Sequence, residues 1–159
     1  MKEPEYLVRL LDDAFRGLSW HGPALLGSIR GVKPTLALWK PGPDRHSIWE
    51  LVLHAAYWKY TVVRRLTGAT RGGFPRAPSN FPALPDPADA KALRADVALL
   101  QDQHDQLVQA VLSLPDPAFR RRQASSRWTN ASMIRGVAMH DVYHAGQIQL
   151  LKRLWRTAP

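Results

Sequence analysis

The residues with the clearest chemical use are the six histidines, because the chain of 159 residues contains no cysteine. Without cysteine there is no disulfide, no thiolate ligand and no thiol nucleophile, so a bound metal ion has to rest on His, Asp or Glu. Two histidines stand four apart in His140-Asp141-Val142-Tyr143-His144. On a helix this spacing separates side chains by roughly 40° around the axis and one turn along it, close enough for two imidazoles to hold one ion. Many such pairs bind nothing, so position around the helix matters. With His140 at zero and about 100° per residue, its side of the helix carries Met133, Gly136, Val137, Tyr143, Gln147, Ile148, Leu151, Leu154 and Trp155. Asp141, Ala145, Gln149, Lys152 and Arg153 fall away from the centre of that side. Both imidazoles are therefore expected on the apolar face, where their nitrogens need partners that a metal ion provides.

His54 is the natural third ligand. It lies inside an apolar segment with Leu51, Ala55, Trp58 and Val62 around it. Alone, it reads as a core histidine bonded to a backbone carbonyl. Beside an HxxxH pair on a second helix, it completes a set of three neutral imidazoles with an open fourth position, the pattern of catalytic rather than closed structural sites. Trp58, one turn beyond His54, and Gln147, one turn beyond His144, are candidates with Tyr143 to line the cavity over that position. Trp20 and His21 are placed at its mouth, with His21 alternatively fixing its own chain break. His46 and His104 are expected at the surface, the latter because Gln101-Asp102-Gln103-His104-Asp105 is polar throughout. Inward-facing carboxylates are expected to be scarce, with Glu50 the one near His54. No GxSxG, phosphate-binding loop or glycine-rich dinucleotide fingerprint is present.

Helices must carry these residues, because helical periodicity runs between three groups of proline and glycine (17–23, 31–43 and 68–87) and nothing alternates as a strand would. The first helix is expected from Pro4 to about Arg16, followed by a break or bend at Trp20-His21-Gly22-Pro23 and a short piece to Arg30. Ser47 with Glu50 forms a capping box that opens a helix over 48–67, closed by Gly68. Asp86-Pro87 is expected to start a third main helix ending near Leu112, ahead of Pro115 and Pro117. The last is expected to start after Thr129-Asn130 and to run to about Trp155. Four main helices make an all-α four-helix bundle, a single domain over 1–159. The long stretch from Gly68 to Pro85 is a crossover that lets the second and third run in the same direction.

The hydrophobic fraction of 45% and charged fraction of 22% are those of a globular chain. There is no apolar run long enough for a membrane span and no apolar N-terminal leader, so a cytoplasmic location is the default. The net charge of +9 keeps a nucleic-acid surface in view, but apart from Arg120-Arg121-Arg122 the basic residues are scattered. An anionic small molecule, or solubility alone, explains that charge more simply.

Three stretches together give the chain a likeness: Trp20-His21-Gly22-Pro23, Ser47-Ile48-Trp49-Glu50-Leu51-Val52-Leu53-His54 and His140-Asp141-Val142-Tyr143-His144-Ala145-Gly146-Gln147-Ile148. It resembles the DinB-like (DinB/YfiT-like) family of metal-binding four-helix bundles over nearly its whole length. The resemblance implies the long crossover, a divalent metal on His54, His140 and His144, and a homodimer. It further implies either a thiol-dependent S-transferase or isomerase using a low-molecular-weight thiol, or a metal-dependent hydrolase. Zinc suits three imidazoles best, with nickel and iron as alternatives. The shared chemistry is activation of a thiol or water, and the expected scarcity of carboxylates favours the thiol. The competing readings are a metal-binding, stress-related protein without catalysis, and a basic protein associated with nucleic acid.

Overall fold

The computed structural model describes residues 1–70, 73–122 and 126–158. In chain order these form α1 (Glu3–Phe15), a two-stranded hairpin β1 (Leu18–Ser19) and β2 (Gly22–Pro23), α2 (Leu25–Ile29), α3 (Pro34–Leu38), α4 (Ile48–Thr67), α5 (Ala90–Leu112), a 3₁₀ turn (Asp116–Arg120) and α6 (Asn130–Thr157). The fold is all-α. The hairpin replaces the expected bend or kink after α1: Leu18 pairs with Pro23 and Ser19 with Gly22, leaving Trp20 and His21 as the turn. Gly22 has φ +124°, which L side chains rarely adopt, so the turn depends on glycine here.

Local chemistry explains the element ends. At the start of α4 the Glu50 N–H donates to Ser47 Oγ (3.2 Å) and the Ser47 N–H donates back to Glu50 Oε2 (2.7 Å). The expected capping box is therefore present in both directions. Gly68 closes the helix in the left-handed region, its N–H on the Arg64 carbonyl. Thr129 caps α6 through the Ser132 N–H. The start of α5 is a correction. Asp89, not Asp86, is the cap, accepting from the Ala92 N–H at 2.8 Å. Leu84 and Ala88 instead pack against Ala37, Trp49, Leu53 and Leu93, so tertiary burial claims the residues that could have formed an extra helical turn.

Each of the four long helices lies against two others: α4 against α5 and α6, and α1 against the same two. Along α4 and α5 the contacts rise together, with Trp49 Nε1 bonded to Asp96 and Lys59 beside His104. Along α4 and α6 they run oppositely, with His54 beside His140, Lys59 on Asp141 and Arg65 beside Met133. One apolar cluster joins Leu7, Leu11, Leu66, Leu107, Phe119 and Ile134. A second joins Phe15, Leu25, Ile48, Val52, Leu100 and Ile148. Trp49, Leu51, Leu107 and Leu151 are buried, while Trp58 and Leu99 are half-buried. Among the described residues no helix is long and apolar enough to cross a membrane.

Candidate metal centre

The helix α4 presents His54 to α6 at the level of His140 and His144. The three offer ligand atoms all within 4.8 Å of one another. His140 Nε2 stands 3.1 Å from His54 Nε2 and 2.9 Å from His144 Nε2. His54 and His144 are buried and His140 is half-buried.

Their outer nitrogens set the tautomers. His54 Nδ1 lies 2.7 Å from the Asn80 carbonyl, which can only accept, so Nδ1 carries the proton and Nε2 the lone pair. His144 Nδ1 faces Gln147 Oε1 at 2.6 Å, and the Gln147 amide in turn donates to the Tyr143 hydroxyl at 3.2 Å. This again leaves Nε2 with its lone pair turned inward. Two lone pairs therefore meet a third imidazole nitrogen within about 3 Å, and His140 Nδ1 is buried with no hydrogen-bond partner among the described residues. A single proton on His140 Nε2 cannot serve both neighbours well. A cation serves all three, and a tetrahedral ion with bonds of about 2.0–2.1 Å would hold such nitrogens about 3.3 Å apart. The donor set fits a divalent ion of the zinc type on this test.

Electrostatics agree. Burial, followed by the neighbouring histidines, pushes His140 down to about 3. Burial likewise takes His144 to about 4 and lowers His54. All three are therefore neutral at neutral pH, the form in which an imidazole can hold a metal ion.

The long connection before α5 supplies the support that sequence reasoning missed. Asn80 sits at φ 70°, a conformation asparagine tolerates better than most residues. Its carbonyl holds His54 and its side-chain oxygen accepts from Trp58 Nε1 at 3.0 Å. Phe81 stacks on His54 (4.1 Å between centroids) and on His46 (3.8 Å). His46 is exposed, as expected, and there it stacks on Phe81. No periodicity marks this proline-rich stretch, and the turn-forming Ser79-Asn80 pair is the one local signal that could have drawn attention to it.

Of the other candidates, Trp58 presents its edge to His54 and His140 at 6.3 Å. Tyr143 lies edge-on to His144 at 5.2 Å but is largely exposed. Trp20 projects fully into solvent from the hairpin turn. His21 faces a cavity of about 400 Å³ shared with Val142, Gly146 and Arg153. Among the described residues, no hydrogen bond or ring contact joins Trp20 or His21 to the three histidines.

Three expectations are corrected. His104 is fully buried, stacked on Phe15 at 4.0 Å, with Nε2 on Asp12 at 2.9 Å. Its polar neighbours in sequence hid the stripe formed by Leu100, Leu107, Val108 and Val111, to which it belongs. Asp141 is fully buried and bonded to Lys59. The buried face of α6 centres on Ile134, Ala138, Asp141, Ala145 and Ile148, so His140 stands at its edge, not its middle. Inner carboxylates are accordingly not scarce, but they are engaged. Asp141 is held by Lys59, Asp96 by Trp49 and Arg76, and Glu50 by Lys40 and the capping box.

An all-α bundle with three inward-facing histidines on two antiparallel helices defines a class of helical proteins built around a candidate metal centre. Within that class, the DinB superfamily matches residues 18–148, and the chain belongs to it. No curated protein and no solved structure matches the chain.

Proposed function

We propose that the chain is a metal-dependent enzyme that activates a thiol or a water on a divalent ion held by His54, His140 and His144. The observation that carries this reading is the convergence of three neutral Nε2 atoms while the His140 Nδ1 stays unpartnered. Zinc is the preferred ion, with nickel and iron as alternatives. A divalent cation there supplies Lewis acidity, which lowers the pKa of a thiol or water presented to it.

The chain's own residues do the positioning. The Asn80 carbonyl and the Gln147 amide fix the rings of His54 and His144, while Phe81 covers a face of His54 and Trp58 stands edge-on to His54 and His140. Trp58, Tyr143 and Gln147 are the residues proposed to meet substrate. The metal-ligand group contains no carboxylate, and the buried carboxylates have partners of their own. A dedicated general base is therefore missing from the cluster, which favours a low-molecular-weight thiol over hydrolysis.

Metal analysis of the purified protein, followed by turnover of an electrophilic test substrate with a panel of thiols, tests the reading. Metal-loaded protein should turn over with at least one thiol, and stripped protein should not. Tight metal binding without turnover of any electrophile would favour a binding protein without catalysis.

A further inference from the structure

A cavity of about 770 Å³ opens beside the metal centre, between the loop that precedes α4 and the last turns of α6. That volume is in the range of small-molecule sites, roughly 300–1,000 Å³. One wall is apolar, built from Leu150, Leu151 and Leu154 of α6. Leu150 and Leu154 are otherwise exposed, at 56% and 40%. The opposite rim carries Arg45 and His46, and Gln147 stands at the end nearest the histidines.

Arg45 is the informative residue. Its backbone N–H donates to the Gly42 carbonyl, and among the described residues the one hydrogen bond of its side chain is a long contact, 3.4 Å, to the carbonyl of its own neighbour Asp44. It forms no ion pair there, so Arg45 lines the cavity with one donor on Asp44 and its other guanidinium donors left for a ligand. Asp44 also lines the cavity and opposes an anion, but the guanidinium fork matches a carboxylate geometrically, and the protein's net charge of +9 favours anions at longer range. From Gln147 to Leu154 the helix rises about 10 Å, a length suited to an extended acyl chain of medium length.

We propose that this cavity binds an amphipathic carboxylate, with the head group at Arg45 and the tail along the α6 leucines. Gln147 links the cavity to the metal centre, because its amide bonds His144 Nδ1 on the side away from the other two histidines. Occupancy of the cavity therefore alters the ligand field at His144. This second part rests on the metal reading, whereas the binding site does not.

The test titrates octanoate and octanol, below micellar concentration, into the full-length protein as purified, and follows leucine methyl resonances. Saturable shifts of Leu150, Leu151 and Leu154 are expected with octanoate, and octanol should bind more weakly. Arg45→Gln should weaken octanoate about tenfold, the scale of one charge-assisted contact, and Arg45→Lys should retain part of the affinity. Equal binding of octanol, or an unchanged affinity in Arg45→Gln, would overturn the proposal. So would absence of saturable binding together with a dimer that Leu150→Glu dissociates, since the leucines would then belong to a contact with a second copy. In protein loaded with cobalt(II), octanoate should shift the visible absorption bands, and Gln147→Leu should remove that shift. Unchanged bands at saturating octanoate would overturn the coupling alone. Failure to bind cobalt would sink the metal reading and leave the leucine shifts to stand.

Discussion

At the scale of single residues, the three histidines divide the work unevenly. His54 and His144 are each steered through Nδ1, but His140 has no such support and depends on what its Nε2 faces. His140→Ala should therefore abolish tight metal binding and any activity while the far-ultraviolet circular dichroism stays helical. Gln147→Leu leaves the ligands in place but frees the His144 ring. It should weaken metal about 10- to 100-fold, the usual cost of losing an outer hydrogen bond, as read by competition with a chromophoric chelator. The lowered pKa values also make a stability prediction for the metal-free protein. Unfolded imidazoles titrate near 6.5, whereas His140 is held at about 3 and both His144 and His104 at about 4. Between these limits the unfolded chain binds protons that the folded chain refuses, so stability falls as pH falls from about 6.5 towards 4. Above that window these groups are neutral in both states and contribute no slope. Urea midpoints at pH 7.5 and pH 5 should differ in that direction.

At the scale of elements, α4 and α6 carry two links at neighbouring levels: the histidine cluster and the fully buried pair Lys59–Asp141. Taking two charges out of water is costly, and their attraction offsets that cost only while both are present. Lys59→Met should thus destabilise by about 3–5 kcal/mol, because Asp141 would be left buried without its partner and would have to stay uncompensated or take up a proton. The double variant Lys59→Met/Asp141→Leu should recover most of the loss, since an apolar pair of similar bulk needs no partner. Denaturant midpoints of the two singles and the double would measure this. A double variant no more stable than Lys59→Met would show that the pair is not an isolated charge problem, pointing instead to His104 and Asp12 as further members of one network. The connection ahead of α5 matters for the same reason: Asn80 reaches both His54 and Trp58, so it is part of the site and not only a tether.

For the whole molecule, the apolar clusters that join all four long helices are built largely from residues outside the metal cluster. Stripping the metal should leave a folded helical protein with a lower melting temperature. Binding to the native state alone adds about 4 kcal/mol at a thousandfold excess over the dissociation constant. Thermal melts of loaded, chelated and His140→Ala protein should rank in stability with the loaded form first. Loss of helix on chelation at room temperature would mean that the ion is structural, as in small zinc-dependent domains.

The sequence by itself determined whatever depends on neighbours within a few turns. The capping box at Ser47 and Glu50, the glycine stop at residue 68 and the cap at Thr129 are local hydrogen-bonding chemistry, and they stand where the residue types put them. The four-residue step from His140 to His144 is equally local. Joining His54 to that pair needed the apolar setting of each segment, and the three nitrogens do converge. Only the tertiary structure decided which way a polar residue faces when its own neighbours are ambiguous. His104 and Asp141 carry polar side chains that argue for solvent, yet each lies on a stripe of small or apolar residues and is buried against a partner from another helix. The same holds for the proline-rich connection. Its Asn80 carbonyl is a hydrogen-bond acceptor like any other until the chain folds it against His54, and no periodicity in one dimension encodes that approach.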